Sequence, residues 1–161
     1  MKTEIICVGE LKESYLREAE SEYLKRLAPY CKTGITSVRE TRLPKGESGA
    51  EKEAVRTQEG KELLAAAGKQ NGAYIVALDM RGQQKTSEEF VAMIEELPHV
   101  GKAALVFLIG GSLGLSDEVK KKADAVLSFS EMTFPHQLMR IILLEQLYRA
   151  QKILRGEPYH K

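Results

Sequence analysis

Two kinds of hydrophobic pattern alternate along this chain. Short continuous apolar runs are typical of buried strands, and stretches in which apolar residues recur every three or four positions are typical of amphipathic helices. The runs predict strands at residues 5–9, 33–38, 74–78, 103–109 and 125–127. The stretches predict helices at residues 12–27, 50–67, 87–97 and 137–154, with a short helix that starts near residue 116. This alternation predicts an α/β fold with a parallel sheet, in which the very apolar run 103–109 is the central strand.

Local signals indicate where several of these helices begin. Ser48 is a candidate N-cap for the helix at 50–67, and either Thr86 or Ser87 opens the helix that ends near Leu97. Ser116 precedes two acidic residues, which the helix dipole favours in a first turn.

Small or polar residues follow the predicted strands at their carboxyl ends, where open α/β sheets usually bind ligands. Glycines in the segment 110–114 (Gly-Gly-Ser-Leu-Gly) would let the backbone approach a ligand closely. The segment matches neither G-x-G-x-x-G nor a P-loop, so a ligand loop and a plain strand-to-helix turn stay equally open. Asp79 could bind a ribose hydroxyl, but a turn residue that hydrogen-bonds its own backbone is the favoured interpretation.

The helix predicted at 137–154 has apolar residues on most of its faces. One face of a sheet cannot cover all of them, so we expect a second subunit to cover the rest. His136 stands just before this helix, where the positive helix end favours a neutral imidazole, and structural and catalytic roles are both open.

Composition bounds the class of protein. A chain of 161 residues suits one domain spanning 1–161, and 24 basic against 23 acidic residues give no argument for nucleic-acid binding. Two cysteines, Cys7 and Cys31, exclude a disulfide framework, and His99, His136 and His160 show no metal-ligand spacing, so we expect no metal. The N-terminus lacks a signal peptide and no apolar run could span a bilayer, so we expect a cytoplasmic protein with no membrane partner.

Taken together, the loop segments resemble one family along the whole chain. They are the Leu78-Asp79-x-x-Gly82 turn, Phe107-Leu108-Ile109-Gly110-Gly111-Ser112-x-Gly114, Leu127-Ser128-Phe129-Ser130-x-Met132-Thr133-Phe134-Pro135-His136-Gln137, Glu145-Gln146-Leu147-Tyr148-Arg149-Ala150 and Pro158-Tyr159-His160. This combination resembles the ribosomal large subunit methyltransferase H family. These SPOUT-class enzymes methylate N3 of a pseudouridine in 23S ribosomal RNA.

The resemblance implies a fold and a cofactor. It implies that the C-terminal third forms a deep trefoil knot and that S-adenosylmethionine lies in the loops of that knot. The cofactor contacts that it implies are Leu78, Gly110, Phe129, Ser130, Glu131, Met132, Thr133 and Phe134. It also implies a homodimer, held by the long C-terminal helix, that acts on the assembled ribosome.

Residue chemistry adds candidate catalytic roles. His160 is a candidate proton acceptor because an imidazole can be neutral near pH 7, and Tyr159 could stack on or hydrogen-bond to the target base. Arg140 or Arg149 could stabilise the anion that develops on the base. Two other functions remain open: a SPOUT methyltransferase for another RNA position, such as one in tRNA, and a non-catalytic nucleotide-binding module.

Overall fold

A computed structural model describes residues 1–43 and 48–159 of the chain. The elements are β1 (Lys2–Val8), α1 (Ser14–Leu27), β2 (Thr33–Val38), α2 (Gly49–Ala67), β3 (Ala73–Gln84), α3 (Ser87–Glu96), β4 (Ala104–Ile109), α4 (Asp117–Lys122), β5 (Ala125–Ser128) and α5 (His136–Leu154). The five strands form one sheet in the order β2-β1-β4-β3-β5, and every pairing is parallel. The predicted α/β class and the central place of the 103–109 strand are confirmed.

Helices cover both faces of this sheet. Alternate residues of the central strand point to opposite sides, because side chains in a strand alternate between its faces. Phe107 packs with residues of α3 and α5 on one face, whereas Val106 and Leu108 pack with residues of α2 and α4 on the other. All six residues of β4 are buried, so the carboxyl end of β4 is fixed by a core on both sides.

Side-chain caps set the starts of three helices. Ser48 and Thr86 each form a capping box, with Glu51 and Glu89 respectively, and Ser116 accepts a hydrogen bond from the Val119 N–H. These contacts confirm the predicted Ser48 cap and assign the cap of α3 to Thr86.

The third strand is longer than its apolar run predicts. The run ends at Leu78, but β3 continues to Gln84 with a register shift, and both Leu78 and Gln83 pair with Leu127 of β5. Between them, a Cβ on Gly82 would lie 2.6 Å from the carbonyl carbon of Leu127. Only glycine allows the two backbones to come this close. The chain after Leu78 therefore continues as a strand paired with β5, where the sequence pattern alone predicts a turn.

The long helix α5 packs against both α1 and α3. Leu143, Leu144 and Leu147 are buried, whereas Ile141 and Ile142 are half-buried. Part of the apolar excess of α5 is therefore covered within the chain. No helix in residues 1–43 and 48–159 is long and apolar enough to cross a membrane.

Candidate active site

A cavity of about 900 Å³ opens at the carboxyl ends of β3, β4 and β5. Its walls come from residues 78–81, 109–115, 127–130 and 132–136, with Met139 of α5, Asp117 and Lys120 of α4, and Glu53 and Arg56 of α2. The three loops that the sequence singles out therefore enclose one space. This location is where parallel α/β sheets bind ligands.

One wall of the cavity is the loop at 110–114, where close backbone contact requires Gly110 and a positive φ favours glycine at position 114. A Cβ on Gly110 would lie 2.6 Å from the carbonyl carbon and 2.7 Å from the carbonyl oxygen of Gly114. Gly114 has φ +79° and donates its N–H to the Gly111 carbonyl oxygen at 3.0 Å. Glycine backbone therefore forms part of this wall, together with Ser112 and Leu113.

The turn after Leu78 forms a second wall. Oδ1 of Asp79 accepts a hydrogen bond from the Arg81 N–H at 2.9 Å, and Oδ2 lies 3.6 Å from Nζ of Lys120. The favoured turn interpretation of Asp79 is thus confirmed, and its carboxylate is already paired within the chain.

The third wall is the loop between β5 and α5. Ser128 donates its hydroxyl to the Ser130 carbonyl oxygen, and Met132 donates its N–H to Oγ of Ser130, each at 2.9 Å. These bonds shape a loop whose lining residues include five of the predicted cofactor contacts, namely Phe129, Ser130, Met132, Thr133 and Phe134. Glu131 is exposed and is not among the lining residues.

His136, the first residue of α5, also lines the cavity. Burial lowers the pKa of its imidazole, with an opposing effect from Glu40. The ring is therefore held in the neutral form near pH 7, as its place at a helix N-terminus predicts. A neutral imidazole in a ligand cavity can accept a proton or a hydrogen bond.

Arg140 lies outside this cavity. Its side chain is 3% exposed, and its guanidinium donates to the Gly9 carbonyl oxygen at 2.8 Å and to Oε2 of Glu20 at 3.1 Å. These bonds tie α5 to α1 and to the end of β1. The catalytic role of Arg140 stays a prediction, and its contacts make it a residue that positions α5.

We expect Arg140→Ala to lower the free energy of unfolding by about 3 kcal/mol, because it removes one member of a largely buried ion pair. Urea denaturation measures this loss. Arg26→Ala is the matched control, since Arg26 pairs with Glu22 on the exposed surface of α1, and it should change stability little. Equal stabilities for the two variants would contradict the buried role of Arg140.

Tyr159 is held at the far end of α5. Its hydroxyl donates to Oε1 of Glu145 at 3.0 Å, its ring meets Tyr148 edge-on at 5.1 Å, and the Arg149 guanidinium lies 4.5 Å from its ring centre. Burial and the bond to Glu145 raise the pKa of Tyr159 to about 12, so the phenol remains a donor at neutral pH. His160 lies outside the described residues.

The C-terminal tail, which begins at Arg155 after α5, and the cavity lie at opposite ends of α5 within one chain. Glu145 follows His136 by nine residues, which corresponds to about 14 Å along a helix. Tyr159 is bonded to Glu145, and it is not among the residues that line the cavity.

Sequence patterns did not point to every residue of the site. Glu53 and Arg56 reach the cavity from α2, and they form an ion pair with each other at 2.6 Å. They precede the first cavity loop by more than twenty residues, and their surroundings read as an ordinary helix surface. No local signal marks them, because tertiary packing alone brings α2 to this edge. No group of His, Cys, Asp and Glu that could hold a metal occurs in the described part of the chain.

A parallel α/β sheet with loops around a cavity at its carboxyl edge is typical of the nucleotide- and nucleoside-binding class of proteins. Comparison with known families narrows this class. Residues 1–160 match the family model described as "Predicted SPOUT methyltransferase". The chain belongs to the SPOUT methyltransferase family.

Individual relatives match from end to end. A protein of Carboxydothermus hydrogenoformans is 50% identical over 161 residues, and one of Clostridium kluyveri is 47% identical over the same length. Both matches cover all of each chain, and both relatives are named "Ribosomal RNA large subunit methyltransferase H".

Solved structures share the fold at low sequence identity. The "tRNA (m1G37) methyltransferase from Aquifex aeolicus" aligns with a TM-score of 0.56 at 13% identity, covering all of this chain and 75% of that one. A "probable methylase family protein" of Haemophilus influenzae aligns with a TM-score of 0.58 at 12% identity, covering 99% of this chain and 70% of that one. This similarity shows the fold alone.

The family uses S-adenosylmethionine as its methyl donor, and the cavity fits that molecule. Its volume lies within the range of cofactor pockets. Leu78, Ile109 and Leu127 supply apolar walls, and the loop at 110–114 supplies glycine main chain. Adding a Cβ at Gly110 would force this wall to move, because the Cβ would meet the backbone of Gly114 and Leu115.

Proposed function

We propose that this chain, acting as a single methyltransferase domain, methylates N3 of a pseudouridine in 23S ribosomal RNA on the assembled large subunit. The observation that carries this proposal is the end-to-end similarity to relatives named "Ribosomal RNA large subunit methyltransferase H". The cavity at the carboxyl edge supports it, because it supplies a site for the methyl donor.

The cofactor site that we propose consists of Leu78, Gly110 and the segment 129–134. All of these except Glu131 line the cavity. The close backbone packing of Gly82 on the distant Leu127 supports a further proposal, namely that the C-terminal third forms a deep trefoil knot.

The chain's own part in the reaction is to orient the methyl donor and the target base, to exclude water and to accept a proton. S-adenosylmethionine supplies a methyl group that is already electrophilic on its sulfonium, so positioning is the main requirement. N3 of a pseudouridine is an imide nitrogen and must lose its proton, for which His160 is the proposed acceptor. His136 is a second neutral imidazole, and it lies in the cavity.

The remaining groups of the tail are proposed to hold the target base. Tyr159 offers a ring and a hydroxyl donor. Arg149 lies beside it and is partly exposed, so it is better placed than Arg140 to stabilise negative charge on the base.

The proposed homodimer joins the cavity and the tail. Within one chain, Tyr159 is docked on the part of α5 that leads away from the cavity. In a two-fold dimer packed through α5, the tail of one subunit would reach the cavity of its partner. The half-buried apolar residues Leu138, Ile141 and Ile142 supply surface for such packing.

The proposed setting is the bacterial cytoplasm, where ribosomes are found. A net charge of +1 gives the chain little general attraction for RNA, so we expect weak binding to an isolated stem-loop and productive binding only to the assembled subunit. Tight, salt-insensitive binding to the naked stem-loop would contradict this proposal.

The direct test is methyl transfer. Large ribosomal subunits that lack the modification, free 23S RNA and bulk tRNA are each incubated with the protein and radiolabelled S-adenosylmethionine. We expect label only in the 23S RNA of assembled subunits, and mass spectrometry of the digested RNA should place it on a pseudouridine. Labelling of tRNA would support the other RNA position instead, and no transfer to any RNA would overturn the proposed reaction.

A further inference from the structure

A buried carboxyl group lies beside the loop at 110–114, which forms one wall of the cavity (the glycine wall). Glu59 of α2 is 3% exposed, and its Oε1 accepts a hydrogen bond from the Thr41 N–H at 2.9 Å. A Cβ on Gly111 would lie 3.2 Å from Oε2 of Glu59 and 3.1 Å from Cγ1 of Val8. The Gly111 backbone therefore rests against this carboxyl group on the side away from the cavity.

The next residue of α2 supports the other end of the same loop. A Cβ on Gly60 would lie 2.5 Å from Oγ of Ser116 and 3.0 Å from Cγ2 of Val119. Ser116 is the N-cap of α4, so Gly60 packs at the point where the loop enters that helix. Two successive residues of α2 thus contact both ends of the segment 111–116.

A carboxyl group at this position destabilises the fold relative to an apolar side chain if its only role is to fill space. Burying an acid costs free energy unless its oxygens are paired, and Oε2 of Glu59 has no hydrogen-bond partner among the described residues. A well-packed apolar side chain would stabilise the fold more. The hydrogen bond to Thr41 is the feature that an apolar residue beside Gly111 could not reproduce.

We propose that Glu59 is a positioning residue of the cofactor site, which fixes the Gly111 wall by linking it to the chain after β2 at Thr41. It acts through the backbone of the loop and does not touch the cofactor. This role rests on the proposed placement of S-adenosylmethionine in the cavity. It adds a supporting contact to the part that α2 already has in the cavity through Glu53 and Arg56.

Two substitutions of Glu59 differ in what they keep. Glutamine keeps the shape of the side chain and an acceptor for the Thr41 N–H, so Glu59→Gln is the conservative variant, whereas Glu59→Ala removes both and is the disruptive one. Burial raises the pKa of the Glu59 carboxyl group, and the negative charges of Glu40 and Glu62 raise it further, against a lowering by the Thr41 N–H.

Glu4 provides a matched control. It is also a buried carboxylate, 7% exposed, but it lies near the start of β1 and is paired with Thr36 at 2.7 Å and with Lys2 at 3.5 Å. In the sheet, Glu4 lies beside Val106 of β4, three residues before the cavity residue Ile109, and it does not line the cavity. Glu4→Ala should therefore lower stability without changing the cofactor site.

The experiment is calorimetric titration of the full-length variants with S-adenosylhomocysteine, the demethylated cofactor, together with thermal unfolding of each protein. We expect Glu59→Ala to weaken binding about tenfold, Glu59→Gln to stay within about threefold of the wild type, and Glu4→Ala to bind normally with a lower melting temperature. Normal binding by a folded Glu59→Ala protein would overturn the inference. Absence of binding by the wild type would instead overturn the proposed function.

Glu59→Met keeps the inference testable if Glu59→Ala does not fold. Methionine fills nearly the same space beside Gly111 but removes the acceptor for the Thr41 N–H, so we expect Glu59→Met to bind S-adenosylhomocysteine more weakly than Glu59→Gln. Equal affinities of the folded Glu59→Met and Glu59→Gln proteins would overturn the inference.

Discussion

Gly110→Ala is expected to weaken S-adenosylmethionine binding about a hundredfold. The new methyl group would lie 2.6 Å from the carbonyl carbon of Gly114 and 3.0 Å from the Leu115 nitrogen, and both are backbone atoms that no rotamer change can move away. The loop must therefore shift, and the wall of the cavity shifts with it. Isothermal titration with the cofactor measures the loss.

Gly49→Ala is the control for this experiment. Gly49 lies in the first turn of α2, and a Cβ there would meet no atom within 4 Å. Alanine is favoured over glycine inside a helix, so this variant should bind normally and be at least as stable as the wild type. Normal binding by Gly110→Ala as well would show that the cofactor does not depend on the glycine wall.

Tyr159→Ala is expected to reduce the rate of methyl transfer by about a hundredfold or more while leaving cofactor affinity within about threefold of the wild type. The rate should fall because the proposed role of Tyr159 is to hold the target base. Cofactor affinity should hold because Tyr159 is bonded to Glu145 and does not line the cavity of its own chain. Single-turnover transfer to large ribosomal subunits and a separate titration with cofactor measure the two quantities.

Tyr159→Phe separates the effect of the hydroxyl from that of the ring, and Tyr74→Phe is its control. Tyr159→Phe keeps the edge contact with Tyr148 and the place beneath Arg149 but loses the bond to Glu145, so it should retain more activity than alanine. Tyr74→Phe removes a hydroxyl near the start of β3, away from the site, and should be silent. Full transfer activity in Tyr159→Ala would remove the tail from the reaction.

Hydrophobic periodicity is sufficient to predict most of the fold, because each strand of a parallel sheet is buried on both faces and each helix on one. The run at 103–109 is the clearest case, since β4 is central and buried throughout. Caps are equally local, so Ser48 could be assigned from its neighbours. Local signals of this kind also place the three loops at one edge of the sheet.

Contacts between distant parts of the chain explain the rest. The extension of β3 to Gln84 depends on Gly82 meeting Leu127, and the burial of Arg140 depends on Glu20, which is 120 positions away. The sequence pattern around Glu59 is that of an ordinary helix, yet its carboxyl group lies beside Gly111 in the wall of the cavity. Periodicity reports which face of an element is buried and carries no information about which distant residue it meets.

Complementation between two inactive variants tests most directly whether a cavity of one subunit works with the tail of its partner. Heterodimers of Gly110→Ala and Tyr159→Ala chains, isolated with two different tags, contain one intact cavity and one intact tail on opposite chains. If the tail acts on the partner's cavity, they should recover about half of the wild-type methyl transfer per dimer, because one of the two symmetry-related sites is then complete. Heterodimers as inactive as either parent, or a protein that remains monomeric at working concentrations, would contradict the composite site.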